Sequence, residues 1–437
     1  MRKKIGRLCL VLMVACGLSL ASAGTAFSKV SLNIWCLDWS GMLDPIQASI
    51  NEYKLVNPDV EISLEGFGGY WDKMPAAISA GTEGDIVYWM ARDFLPYFIG
   101  GRFASVPEDI MSVEDMEATY WLGSLGLWKH GGKYYGFTDD YNCEGYILLY
   151  INRSLLSEHG HEIPADWIAN GRPGSWDELL AFAKAITVKR AGHVAIPGLV
   201  GANDKWNAQR FFSLIFQAGG EYRDPENRKV HFNTPEAKRA LEFMNNWINN
   251  EGVDSYELGN GIVQFMQNAN AFMAAGAPHW AKKIKKAHPE MDYVILGFPP
   301  IFGDKPYWHV DGGWGYAVSS NCANPREAWK FIKFATSYDR QKRIALSAGY
   351  IPTRVGMAVD PDIAKAPNVA PMLKITVYGM STPNYVISQG RLTAEGNIVD
   401  EEIENVYMGL KSVEDALKDM EERGNAMIEE LWETYGK

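Results

Sequence analysis

Along the chain, runs of alternating apolar and polar side chains are followed by runs with helical spacing. Residues 30–36, VSLNIWC, alternate, so one face is set for burial and a strand is expected. In 44–57, Ile46, Ile50, Tyr53 and Val56 recur every three or four residues, and Asn57-Pro58 ends the run as a helix would end. VEISLEGF (60–67) reads as a second strand, 71–80 as a short helix and GDIVYWM (84–90) as a third strand. Strands and helices alternating in this way between residues 30 and 90 predict a parallel α/β sheet.

The alternation resumes downstream. Residues 133–156 are strand-rich and aromatic. Residues 175–189 read as a helix with Ser175 as N-cap and Glu178 three positions on, the pattern of a capping box. Residues 232–250 read as another, with Thr234 as cap and Pro235 at the first helical position. DYVILGFPP (292–300) is a strand closed by prolines, and 324–349 is an amphipathic helical region ending at Gly349. The charged segment 400–435 predicts a helix with a solvated face.

The N-terminus has a different pattern. Arg2, Lys3, Lys4 and Arg7 precede an apolar run from Leu8 to Leu20, and Ala21-Ser22-Ala23 offers a small-residue cleavage site. Cleavage after Ser28 is a second option; residues 1–28 read as a signal peptide, and a periplasmic or extracellular location is expected. Met13-Val14-Ala15-Cys16 allows a second reading, a lipid anchor on Cys16. The apolar residues that continue past Cys16 favour the soluble form.

Residues 1–28 hold four positive and no negative side chains, so the chain after them carries −15 against −11 for the whole. So acidic a chain is a poor partner for nucleic acid or an anionic membrane surface. With 437 residues, two lobes are expected rather than one core. Cys36, Cys143 and Cys322 remain after the signal segment, and an odd number cannot all pair within one chain. A Cys36–Cys143 bridge is possible by count, but three buried thiols are the simpler reading. No Walker loop, dinucleotide fingerprint, GxSxG or HExxH occurs, and the scattered histidines complete no zinc pattern. No cofactor and no metal are expected. Asp139-Asp140 form an acid pair in sequence, yet neighbours on a strand point to opposite faces, which suits them poorly to flanking one bond.

One stretch concentrates chemistry. WHVDGGWGYAV (308–318) sets Gly312 and Gly313 between Trp308, Asp311, Trp314 and Tyr316. Glycine lets backbone approach another group closely, and a tryptophan face beside an acid suits a flat, hydroxylated ligand.

Several segments, in order, resemble the extracellular solute-binding proteins of ABC transporters, family 1, the sugar-binding, maltose-binding-protein-like group. They are VSLNIWCLDWSG, INEYKLVNPDVEISLE, WDKMPAAISAGTEGDIVYW, HGGKYYGFTDD, YINRSLL, GSWDELLAFAKAIT, NANAFMAAGAPHW and AWKFIKFATSYDRQKRIALSAGYIPTR. Gly84 and Thr138 stand where the family usually has proline. The resemblance spans nearly everything after the signal segment. It implies an α/β, two-lobed periplasmic-binding-protein fold of class II type, with a ligand cleft between lobes joined by a hinge. It places the N-terminal lobe at 29–139 plus 305–352 and the C-terminal lobe at 140–304 plus 353–437. It also implies a non-catalytic, monomeric binding component that captures a carbohydrate, mono- or oligosaccharide, and delivers it to membrane permease subunits.

With that resemblance, the residues expected to bind ligand are Trp39, Trp71, Trp89, Arg92, Asp140, Tyr141, Trp206, Asn207, Trp280, Asp311, Gly313, Trp314 and Arg354. Trp128, Trp176, Trp247 and Trp329 lie in packing patterns and read as structural. Two other functions fit the same residues. A polyamine or other small polar solute would also use acids and aromatic faces. A secreted carbohydrate-active enzyme would need a carboxylate pair such as Asp140 with Asp311.

Overall fold

The computed structural model describes residues 29–140, 148–201, 207–224, 227–259, 261–276, 280–303, 313–366, 369–371 and 393–435. Among the described residues, nine strands build two main sheets: β1 (Val30–Leu37), β2 (Val60–Phe67), β3 (Ile86–Met90), β4 (Phe137–Asp140), β5 (Leu148–Asn152), β6 (Leu199–Val200), β7 (Met273–Gly276), β8 (Tyr293–Gly297) and β9 (Trp314–Val318).

The first sheet has the order β2-β1-β3-β9-β4. Strand β1 runs parallel to β2 and β3, as the alternation over 30–90 predicts. Strand β9 arrives from far along the chain and pairs antiparallel with both β3 and β4. Local pattern could not reveal that insertion, because its partners lie more than a hundred residues away in sequence. The second sheet has the order β6-β7-β5-β8, with β6 parallel to β7, and β7 and β8 antiparallel to β5.

Each sheet has its own hydrophobic core. Ile34, Tyr70, Ile86, Trp128, Phe137, Tyr316 and Trp329 belong to one. Tyr150, Phe211, Trp247, Phe272, Trp280, Ile403 and Leu417 belong to the other. The chain passes from the first sheet to the second after β4 and returns before β9. Met357 and Ile363, past the 338–348 helix, lie in the second core again. The first and last of these passages run side by side: Asp140 bridges to Pro352, and Asp140 Oδ1 accepts the Ile351 N–H at 3.2 Å. The Thr138 carbonyl accepts both Gln341 Nε2 at 3.2 Å and the Thr353 hydroxyl at 3.1 Å.

The predicted caps form, with one change. Ser175 accepts the Glu178 N–H at 3.2 Å, and Thr234 accepts the Ala237 N–H at 3.2 Å. The Glu178 carboxylate, however, turns away from Ser175 to the Gly174 N–H at 2.9 Å and to the indole N–H of Trp167. A buried tryptophan N–H needs an acceptor, and this carboxylate supplies it. The helical region 324–349 divides into Pro325–Ala335 and Tyr338–Ala348. The C-terminal segment likewise divides into Thr393–Tyr407 and Val413–Tyr435, with Gly409 at φ 69° between them. Its expected solvated face needs correction at Glu402, which is buried between the two helices and binds Lys411 and Arg423 at 2.6 Å each.

Candidate functional site

The carboxyl ends of β1, β2, β3 and β4 and the start of β9 share one edge of the first sheet. Leu37 pairs with Phe67, and Trp314 pairs with both Met90 and Asp140. Ligands of open α/β sheets bind outside that edge. Gly313 turns the chain into β9 at φ 74°, a value that favours glycine, and its carbonyl accepts the Ala91 N–H at 2.9 Å. This contact fastens the start of β9 to the end of β3.

Three of the expected tryptophans meet here. Trp71 opens the helix Tyr70–Ala80 after β2, with ring centroids 5.7 Å from Trp314 and 6.1 Å from Trp89. Trp71 is 39 % exposed, whereas Trp89 and Trp314 are buried. The group is thus one accessible ring backed by two others. The indole N–H of Trp89 is buried and has no acceptor among the described residues.

Tyrosines that sequence reasoning did not single out hold this wall. The Tyr88 ring stacks on Trp314 at 5.9 Å and 17°. The Tyr70 hydroxyl donates to the Tyr88 carbonyl at 2.6 Å, and the Tyr70 ring lies against Trp71 and Trp89. Burial pushes both phenols well above their usual range, so they stay neutral donors. No local signal marked Tyr88 out, because β3 reads IVYWM, an unbroken hydrophobic run that is buried at every position.

The acid pair lies at an irregularity in the β4–β9 pairing. The register slips between Trp314 and Gly315, so Asp139 is an extra residue on β4. Such a bulge re-aims side chains, and Asp139 and Asp140 are both buried. The Tyr88 hydroxyl donates to Asp139 Oδ2 at 3.3 Å. Burial pushes the Asp139 carboxyl up to about 7, and the Tyr88 bond only partly opposes this.

The remaining expected residues lie elsewhere or apart. Trp39 follows β1 on the same edge, half-buried, with its ring over Gly41. Arg92 lies in the first turn of the helix Ala91–Ile99, and its side chain falls outside the described residues. Asn207 opens the helix Asn207–Gln217 and is buried; its Oδ1 has no partner among the described residues. Trp280 is fully buried against Tyr150 and Phe265 in the second core. Arg354 donates to the Thr336 carbonyl at 2.9 Å and lies over the Tyr120 ring, tying the last passage to the first lobe's side. Tyr141, Trp206 and Asp311 lie outside the described residues. Trp128, Trp247 and Trp329 are buried, as packing residues should be.

Cys36 and Cys322 are free and buried, and burial pushes both thiols up to about 12, which keeps them protonated and unreactive. Cys143, the other half of the bridge allowed by count, lies outside the described residues. Among the described residues, no three His, Cys, Asp or Glu side chains gather as metal ligands would.

Residues 48–371 match the family model described as "Bacterial extracellular solute-binding protein". The chain is 26 % identical over 345 residues to the maltotriose-binding protein of Pyrococcus abyssi, covering 76 % of this chain and 69 % of that one. Among solved structures, it is similar to MalE of Bdellovibrio bacteriovorus bound to maltotriose, with a TM-score of 0.72 and 18 % identity over 92 % of this chain and 100 % of that one. It is also similar to an ABC transporter solute-binding protein of Thermotoga lettingae bound with α-D-tagatose, with a TM-score of 0.71 and 21 % identity over 91 % of this chain and 100 % of that one. These likenesses carry the fold, the two-lobed α/β architecture of periplasmic binding proteins. The match to the family model carries the membership: the chain belongs to the bacterial extracellular solute-binding proteins.

Proposed function

We propose that this chain is the exported substrate-binding component of an ABC importer, that it captures a carbohydrate against the Trp71–Trp89–Trp314 wall, and that it delivers the sugar to membrane permease subunits. The wall itself carries the reading. A pyranose has apolar C–H faces that pack on an indole ring, and Trp71 offers one backed by Trp89 and Trp314. The sugars named for the similar proteins agree with this chemistry. The role is capture without catalysis, by a monomer, in the periplasm or outside the cell after export through residues 1–28.

The lobes in this reading are 29–139 plus 305–352 and 140–304 plus 353–437. The separate cores and the paired passages at Asp140 and Pro352 support that division. Sugar contacts made only when the lobes approach would draw them together.

A thermal-shift screen of the mature chain against mono- and oligosaccharides tests the proposal, with polyamines and amino acids as controls. A ligand specific to the folded state adds about 2.7 kcal/mol at a hundredfold excess over its dissociation constant. One sugar should raise the melting temperature, and Trp314→Ala should abolish the rise. A response to amines alone would sink the carbohydrate assignment, and turnover of a bound sugar would sink the non-catalytic one.

A further inference from the structure

We propose that Asp139 is a positioning residue for solute capture: its carboxylate holds the Tyr88 hydroxyl, Tyr88 holds the Trp314 face, and protonation of Asp139 weakens binding. The proposal rests on the carbohydrate-capture reading for its ligand, but not for its first two links.

The geometry connects the three residues directly. The β4 bulge turns Asp139 into the first core, where it is 4 % exposed. Its Oδ2 receives the Tyr88 hydroxyl at 3.3 Å, and its Oδ1 has no partner among the described residues. A buried carboxylate with so little compensation has been placed at a cost, and such placement is often a functional one. The Tyr88 ring passes the constraint on by stacking on Trp314 at 5.9 Å. The Tyr88 carbonyl passes it to Tyr70, whose ring contacts Trp71 and Trp89.

Among the described residues, the groups around Asp139 do not supply a compensating cation. Tyr88 faces it from β3, Tyr316 from β9, Tyr350 from the segment after the 338–348 helix, and Tyr120 from the helix-flanking segment before β4. Asp140 is its neighbour on β4. Arg340 acts on Tyr316 and is bound to Glu52; Arg354 acts on Tyr120 and is bound to the Thr336 carbonyl; Cys36 is a neutral thiol. Burial among these phenols pushes the Asp139 carboxyl up to about 7, so its proton exchanges in the neutral range. A hydrogen bond to a charged acceptor is about twice as strong as one to a neutral acceptor. The hold on Tyr88 is therefore stronger above neutrality than below it.

The test combines two measurements on the full mature chain. Calorimetric titration with maltotriose should show affinity falling about fivefold between about pH 8 and pH 6. Asp139→Asn and Tyr88→Phe should both remove this dependence. In ligand-free protein, tryptophan emission should change with a midpoint near neutrality in the wild type and not in either variant. Asp254, the other buried carboxyl pushed up to about 7, belongs to the second sheet's side, and Asp254→Asn should leave the emission change intact. Flat emission in the wild type, or a titration that survives in Asp139→Asn, overturns the proposal. If no sugar binds while the Asp139-dependent emission change is present, the carbohydrate reading falls and the positioning of Trp314 by Asp139 is supported. Either variant decides the matter if the other does not fold.

Discussion

Two tryptophans with similar sequence surroundings have opposite structural roles. Trp71 is 39 % exposed at the edge of the first sheet, while Trp280 is fully buried against Tyr150 and Phe265. Truncating a buried Trp to Ala costs about 3–5 kcal/mol. Trp280→Ala should lose stability of that size in urea unfolding. Trp71→Ala should lose little stability, but weaken sugar binding about tenfold or more, the loss of one aromatic platform. Equal stability losses in the two variants would show that Trp71 is a packing residue. Counting tryptophans along the chain could not separate the two, because both stand in the first turn of a helix, a position equally compatible with core and cleft.

Among the elements, the β4–β9 pairing depends on two glycines that let Trp128 lie across it. A Cβ at Gly136 would meet the Trp128 ring and lie 2.7 Å from the Tyr316 carbonyl. One at Gly315 would meet the Phe137 carbonyl and lie 2.7 Å from the Trp128 ring. Trp128 is fully buried and cannot move aside without disturbing its neighbours Phe94 and Phe98. Overpacking of this kind costs about 1–3 kcal/mol, so Gly136→Ala should lower the denaturation midpoint by that amount of stability. Gly68→Ala, whose added carbon meets nothing within 4 Å, should change it little. The sequence shows GKYYGFTDD and GGWGYAV as aromatic segments punctuated by glycine. Only their pairing explains why glycine sits where it does.

For the whole molecule, Asp139 beside the first core and Asp254 beside the second are buried acids pushed up to about 7, each chiefly by desolvation. Unfolded aspartates titrate near 3.9. Between these values the folded protein binds more protons than the unfolded one, so stability falls as pH rises from about 4 to about 7. The contribution of these two groups is complete below the unfolded value and lost above the folded one. Thermal unfolding should therefore show a higher midpoint at about pH 5 than at about pH 8, and Asp139→Asn with Asp254→Asn should flatten the difference. A midpoint that rises over this range and ignores both substitutions would refute the account. On this account the protein above neutrality has its first-sheet acid charged and its fold less stable, the trade expected of the capture role proposed for Asp139.

Periodicity and caps by themselves determined the elements of 30–90, the helices after Ser175 and Thr234, the amphipathic region before Gly349 and the α/β class. These are local properties: which side chains share a face, and which residue ends a helix, depend on near neighbours in the chain. The ordered segments that resemble the solute-binding family carried the two-lobed fold. Tertiary structure alone decided that β9 enters the first sheet antiparallel, that a bulge turns Asp139 inward, that Glu402 is buried, and that Trp71, Trp89 and Trp314 meet while Trp280 and Arg354 serve other contacts. The reason is common to all of them. Each depends on a partner distant in sequence, and a one-residue slip in pairing reverses which face a side chain takes.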